Sequence, residues 1–264
     1  SCVPQICGDA ALMDKGFEDG SEVVRLYMNE ASGATVYDSS GNGNNGTIMN
    51  ATWTTGRFLS GLSFNGTNAQ VNILYTPPTN TFTFMAWVKT STTITIPTES
   101  TTGTAGTSGQ RYVFFPSHGG ENAGLGVSVG TNGVVVVEHG DGYAPPLAVL
   151  NTSIGTDWVH IAVVYSAKQP KIFVNGVQRR TGLTSTKTTV YAPNILGQGW
   201  NFFAGQIDHV RIFSTALTEN EIKEAMGELC DDGANNGMIG YCNINCNGMV
   251  EESCIEGQTR FIEC

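Results

Sequence analysis

The stretch of this chain whose residue types and spacing best suit a chemical role is Asp38-x-Ser40-x-Asn42-Gly43. The alternate positions Asp38, Ser40, Asn42 and Asn44 each offer an oxygen, and the glycine permits a sharp turn. That spacing repeats the first half of an EF-hand calcium loop. The second half is missing, because the twelfth position is Met49 where a bidentate glutamate is required. A Ca²⁺ ion here needs further oxygens from elsewhere and would be structural rather than catalytic. The alternative is that Asp38 and Asn42 only make Asx-turns.

Catalytic constellations are poor. No Glu-x-Asp-x-x-Glu strand is present to set two carboxylates on one face for retaining glycoside hydrolysis. The nearest acidic cluster is Glu138-His139-Gly140-Asp141, whose two acids point to opposite faces if extended. Neither His-Glu-x-x-His nor Gly-x-Ser-x-Gly occurs. His160 follows Trp158 in a Trp-x-His strand and reads as a hydrogen-bonded structural residue. His118 and His139 sit near turns, where they line a cleft with Glu121, Asp141 and Tyr143. Sugar binding needs an exposed ring beside polar groups, since sugar C–H faces stack on rings while hydroxyls seek hydrogen bonds. Tyr143 and, in the turn-like Trp200-Asn201-Phe202-Phe203, Trp200, Phe202 and Phe203 are candidates, with capping of the core as the alternative. The ligand-binding set is therefore His118, His139, Asp141, Tyr143 and Trp200; no catalytic residue is assigned and the chain is read as a non-enzyme.

Composition narrows the partners. The net charge is −10 with 13 Lys and Arg, and no basic cluster exists. Nucleic acid and anionic membrane surfaces need clustered cations and are poor partners. No apolar run approaches the roughly 18 residues that span a bilayer. Seven cysteines lie at the two ends: Cys2 and Cys7, then Cys230, Cys242, Cys246, Cys254 and Cys264. Terminal clusters around a Cys-free body read as disulfides that tie down ends in an oxidising compartment, hence an extracellular or cell-surface location. The odd count leaves one thiol that is free, carries a modification, or pairs with another chain in an intermolecular disulfide or homo-oligomer. The opening Ser-Cys, with no signal peptide, reads as a mature or trimmed form.

The elements that must carry these residues are short strands. The sequence predicts strands at Glu22–Met28, Gly61–Phe64, Ala69–Ile73, Thr81–Lys89, Tyr112–Phe115, Gly124–Val129, Val134–Glu138, Trp158–Tyr165, Lys171–Val174, Asn194–Leu196 and Gly205–Phe213. In the last of these Asp208, Val210 and Ile212 are expected to share a face opposite His209 and Arg211. Val174-Asn175-Gly176-Val177 is a type I′ hairpin signal. Thr218-Glu219-Asn220-Glu221 is a capping box that starts one short helix. Residues 90–110, rich in Thr, Ser and Gly, read as a long surface loop that either shapes a site or is mobile. Residues 1–20 form an irregular leader, 21–228 the sandwich, and 229–264 a Cys-rich tail.

The order of six motifs resembles the laminin-G-like, concanavalin-A-like jelly-roll family: Asp38–Gly46, Phe82–Val88, Trp158–Ala162, Lys171–Gly176, Gly205–Ile212 and Ala216–Ile222. The resemblance covers residues 20–228. It implies an all-β sandwich of two antiparallel sheets, roughly six or seven strands each, with one short C-terminal helix. It also implies that Asp208 joins the loop at Asp38, with backbone carbonyls, to complete the calcium site. Fold alone does not give function. The expected role is an extracellular recognition or adhesion module for carbohydrate or a surface protein. The rivals are a structural subunit of a surface filament and, behind it, a glycan-active enzyme.

Overall fold

A computed structural model describes residues 19–116 and 122–226. The strands among these residues are β1 (Glu22–Leu26), β2 (Thr35–Val36), β3 (Gly46–Met49), β4 (Thr52–Thr55), β5 (Ser60–Asn65), β6 (Gln70–Ile73), β7 (Phe82–Lys89) and β8 (Tyr112–Phe115). They continue with β9 (Ala123–Gly130), β10 (Gly133–His139), β11 (Pro146–Leu150), β12 (Val159–Ser166), β13 (Gln169–Val174), β14 (Val177–Thr181), β15 (Val190–Tyr191), β16 (Ile195–Leu196) and β17 (Ala204–Phe213). One helix, α1 (Glu219–Ala225), closes the described chain.

The strands form two sheets. Sheet A runs β14-β13-β12-β7-β17-β5-β4 with β1 also paired to β17; sheet B runs β11-β10-β9-β8-β16-β6-β3-β2 with β15 beside β9. All pairings among the described residues are antiparallel except β15 with β9. Each sheet is larger than the sequence suggested. The strands it missed include β4, β11 and β14, each at the end of a sheet order. In β14 every residue is exposed, so there was no apolar alternation to read. In β11 the first residue is Pro146, which suits an edge strand but masks the signal.

Period-two alternation divides each strand between faces. Phe82, Phe84, Ala86 and Val88 of β7 and Val134 and Val136 of β10 enter one buried cluster between the sheets. The alternate residues cover the outer faces. On sheet A, Met85, Ala162, Val164 and Phe213 pack under Leu217, Ile222 and Ala225. The Thr218 capping box forms as expected, with the Thr218 hydroxyl accepting from Glu221 N–H and the Glu221 carboxylate accepting from Thr218 N–H.

On sheet B the cover is segment 90–110. Ile94 and Ile96 pack on Tyr112, Val135, Val137 and Ala144. Backbone bonds pin it: Gly106 N–H to Ala144 O at 2.7 Å, Ala144 N–H to Gly103 O at 2.8 Å and Ser100 N–H to Pro146 O at 3.0 Å. Glu99 accepts Val149 N–H and the Arg180 guanidinium. The Thr-rich segment is thus a hydrogen-bonded strap over sheet B. The outward positions of β9 explain why it sits so close. They are Gly124, Gly126, Ser128 and Gly130, and a Cβ on Gly130 would lie 2.7 Å from Ile94 N.

Candidate functional site

One exposed aromatic group stands at the open end of the strap-covered face. Residues 197–203 form a loop closed by Phe203 N–H to Gly197 O at 2.9 Å and held to β8 by Gly197 N–H to Val113 O at 3.1 Å. Arg111 Nη1 donates to Phe202 O at 3.0 Å. Phe203 anchors the loop in the core against Phe64. Gly199 lies against the Tyr112 ring, where a Cβ would come within 2.9 Å, so the loop rides directly on β8. Trp200 at its tip is 43 % exposed.

Three rings frame that indole. His139 stands perpendicular to it, with centroids 4.9 Å apart. Phe115 is 5.4 Å away and Tyr112 6.0 Å, both edge-on. His139 is itself fixed by a 2.8 Å hydrogen bond between Nδ1 and Pro116 O. An imidazole whose one nitrogen is engaged keeps the other for a ligand. The result is an indole beside a polar ring nitrogen on a rigid floor, the combination that sugar recognition uses.

Two of the expected ligand residues, His139 and Trp200, are therefore brought together. Tyr143 is not with them. Its hydroxyl donates to Asn122 O at 3.3 Å and its ring lies under the Lys187 ammonium, 3.6 Å away, partly buried against the inter-sheet core. Asp141 is exposed in the turn between His139 and Tyr143. His118 and Glu121 lie outside the described residues, in the connection that follows Pro116. Phe115 and Tyr112, which complete the frame, were read from sequence only as strand residues; nothing in their spacing marked them as part of a site.

The acidic cluster does not pair. Glu138 is fully buried on the core-facing side of β10, whereas Asp141 is exposed. Burial pushes the Glu138 carboxyl up, against smaller opposing pulls from Ser185, Lys187 and Lys168. Neither of its oxygens finds a hydrogen-bond partner among the described residues.

The loop at Asp38 folds onto β1. Asp38 Oδ1 accepts the N–H groups of Arg25 at 2.9 Å and Ser40 at 3.0 Å; Oδ2 accepts the Ser40 hydroxyl and Asn44 N–H, each at 2.8 Å. The Asn42 amide reaches Glu22 O at 3.0 Å and the Asn44 amide reaches Val23 O at 2.7 Å. Asp38, Ser40, Asn42 and Asn44 thus converge on the β1 carbonyls. The oxygens suit a hard cation in type. They are short of charge, since Asp38 brings the one carboxylate among these four.

Asp208 does not join them. Asp38 engages Val23–Arg25, and Arg25 pairs with Arg211 of β17. Asp208 lies three residues back along β17, roughly 10 Å at strand rise. Its Oδ2 accepts Phe58 N–H at 2.9 Å, beside Gly56 and Gly61. The cause is a register shift between Asp208 and Arg211, with His209 at φ 49°. The irregularity puts Ile207, not Asp208, into the core with Val210 and Ile212, so the expected common face of Asp208, Val210 and Ile212 is corrected. Burial raises the Asp208 carboxyl to about 7 despite its backbone donors. Among the described residues no group of three or more His, Cys, Asp or Glu is placed to hold a metal. The seven cysteines, residues 1–18 of the leader and the tail lie outside the described residues, as does any pairing between the cysteines. No helix among the described residues is long and apolar enough to cross a membrane.

Solved structures share this architecture at low identity. Domain 4 of AbnA, a GH43 extracellular arabinanase from Geobacillus stearothermophilus, solved in complex with arabinotriose, is 19 % identical with a TM-score of 0.52, covering 78 % of this chain and 98 % of that one. The binding domain of Paraclostridial Mosquitocidal Protein 1 is 15 % identical with a TM-score of 0.57, over 77 % of this chain and 51 % of that one. A botulinum neurotoxin type C structure, from work on cell entry dependent upon interaction with two ganglioside molecules, is 12 % identical with a TM-score of 0.59, over 79 % and 51 %. The chain thus spans about half the length of the two toxin chains. No curated protein sequence matches. Residues 65–223 match Laminin_G_3, and with that match covering more than half of its length the chain belongs to the concanavalin A-like lectin/glucanases superfamily.

Proposed function

We propose that this domain is an extracellular, non-catalytic module that binds carbohydrate, with Trp200 as the stacking platform and His139 as the adjoining hydrogen-bond group. The observation that carries the reading is the 43 % exposed Trp200 indole held perpendicular to His139 on a frame of Phe115 and Tyr112. Large aromatics are normally buried, and one displayed on a pinned loop beside a polar ring is arranged for contact. The arabinotriose complex of the similar arabinanase domain and the ganglioside dependence of the similar toxin support a glycan over a protein surface. The separation of Glu138 from Asp141 supports binding without hydrolysis.

In this reading Ca²⁺ braces the 38–45 loop through Asp38, Ser40, the Val23 carbonyl and the Asn42 and Asn44 side chains. The ion is structural, and with one carboxylate its affinity falls in the weak extracellular range. The test is a glycan array, run with and without chelator, on the native domain and on Trp200→Ala and His139→Ala. Binding that drops roughly tenfold or more in Trp200→Ala supports the platform. Binding that is unchanged in both variants overturns it.

A further inference from the structure

The other end of the sandwich carries a cavity that the Trp200 site does not use. It is about 180 Å³ and lies where the 152–154 connection meets the Asn175–Gly176 turn and β14. Val159 and Val174, nearly buried in the core, back it, and its accessible lining is mainly polar, from Thr152, Ser153, Asn175 and Arg179. It is far from Trp200. Gly133, at the near end of β10, pairs toward Leu150 on the cavity wall, whereas His139 is at the strand's far end, six residues or roughly 20 Å away.

Arg179 is aimed there by the backbone. Phe173 pairs with Gln178 and Ile172 with Arg180, so Arg179 is the extra residue of a β-bulge. A bulge leaves its residue unpaired and re-aims the side chain, and bulges gather at functional rims. The neighbouring Arg180 is committed to Glu99 on the strap. Arg179 has no ion pair or hydrogen bond among the described residues. Arg179, exposed like the rest of β14, is thus an uncommitted guanidinium at the mouth of the cavity.

The rim supplies the rest of a recognition set. Asn175 is locked by its Oδ1, which accepts His160 N–H at 2.9 Å, and by its own N–H to His160 O at 2.9 Å. Its amide NH₂ is thereby fixed as an outward donor. Ser153 Oγ donates to Thr131 O at 3.1 Å and keeps its lone pairs for a ligand. A guanidinium recognises a carboxylate through two parallel hydrogen bonds. Hydroxyl and amide groups at a concave polar surface match the hydroxyls of a sugar ring. A volume below the roughly 300 Å³ of drug-sized sites admits one such ring rather than a chain.

We propose that this cavity is a second ligand site that takes a single carboxylate-bearing sugar unit, a uronate, with Arg179 clamping the carboxylate and Asn175, Thr152 and Ser153 holding ring hydroxyls. The site is independent of the Trp200 platform and stands if that reading fails.

The test is a nuclear magnetic resonance titration of the whole chain with D-galacturonate, D-galactose and acetate. D-galacturonate is expected to shift the amides of Ser153, Val174 and Asn175. D-galactose and acetate should bind roughly tenfold more weakly or worse, since each supplies one half of the contacts. Arg179→Gln, a surface change that leaves the fold intact, should reduce D-galacturonate to the level of D-galactose, while Trp200→Ala leaves it unchanged. The proposal is overturned if D-galacturonate leaves those three amides unmoved. It is equally overturned if Arg179→Gln binds D-galacturonate as the native chain does, or if acetate binds as tightly as D-galacturonate, which would leave a simple anion site.

Discussion

Asp208, in the middle of β17, accepts the backbone N–H of Phe58 at 2.9 Å across 150 residues of sequence, and does so with no solvent exposure. Its other oxygen has no hydrogen-bond partner among the described residues. Burial holds its carboxyl at about 7. The folded chain therefore keeps a proton that the unfolded chain releases from about pH 4 upward. Stability falls as pH rises through the window from about 4 to 7, and the full cost, a few kcal/mol, is present above it. Asp208→Asn keeps the acceptor for Phe58 and removes the charge. The expected outcome is a gain of about 1–3 kcal/mol at pH 8 and little change at pH 4, read by urea unfolding at both values.

His160 and His209 work in the opposite sense. Both are buried, and burial, with the Arg211 charge second, lowers each to about 3. Their neutral forms favour the fold above the unfolded value of about 6.5, and that contribution is lost as pH falls from there toward 3. Two-dimensional imidazole spectra should show both rings neutral at pH 5. A ring that titrates near 6.5 in the folded chain would contradict the burial.

Arg211 ties the two ends of the described chain together. Its Nε donates to Glu22 Oε1 at 2.5 Å and its Nη1 to Ala225 O at 2.8 Å. All three residues are buried. Arg211→Met leaves Glu22 with Arg25 alone and should cost roughly 3–5 kcal/mol. Arg211→Met with Glu22→Gln should cost less than the sum of the single changes, since the stranded charge is gone. Thermal unfolding of the four proteins measures this.

Gly126→Ala tests the close approach of β9 to the end of β8. A Cβ there would lie 2.5 Å from Phe114 O and from Pro116 Cδ. Overpacking of this kind costs about 1–3 kcal/mol. Because Pro116 also carries the hydrogen bond to His139, the same change should weaken glycan binding at Trp200. Gly41→Ala, at φ 90° with open space around it, should affect stability by its backbone alone and spare binding.

The fold was legible because the core strands alternate. Phe82 to Lys89 and Val134 to Glu138 show their inner and outer sets in sequence, and the Asn175-Gly176 turn forms with φ values of 49° and 73° as its residues demand. What escaped notice lacks alternation: β14 is polar throughout, and the bulge at His209 is a backbone event that leaves no mark in residue type. The same limit applies to the site. Trp200 and His139 are 61 residues apart and could be named singly, but their contact depends on where two loops end. Arg179 drew no notice, because its role comes from a one-residue offset between two strands.

The bare outward track of β9 has a wider consequence. Chain 90–110 meets that track with its main chain, so most of its threonine and serine tips point to solvent and carry little of the packing. Drift in those tips is nearly cost-free for folding. The scaffold thereby keeps the letters that hold it up apart from letters free to vary on its outer face.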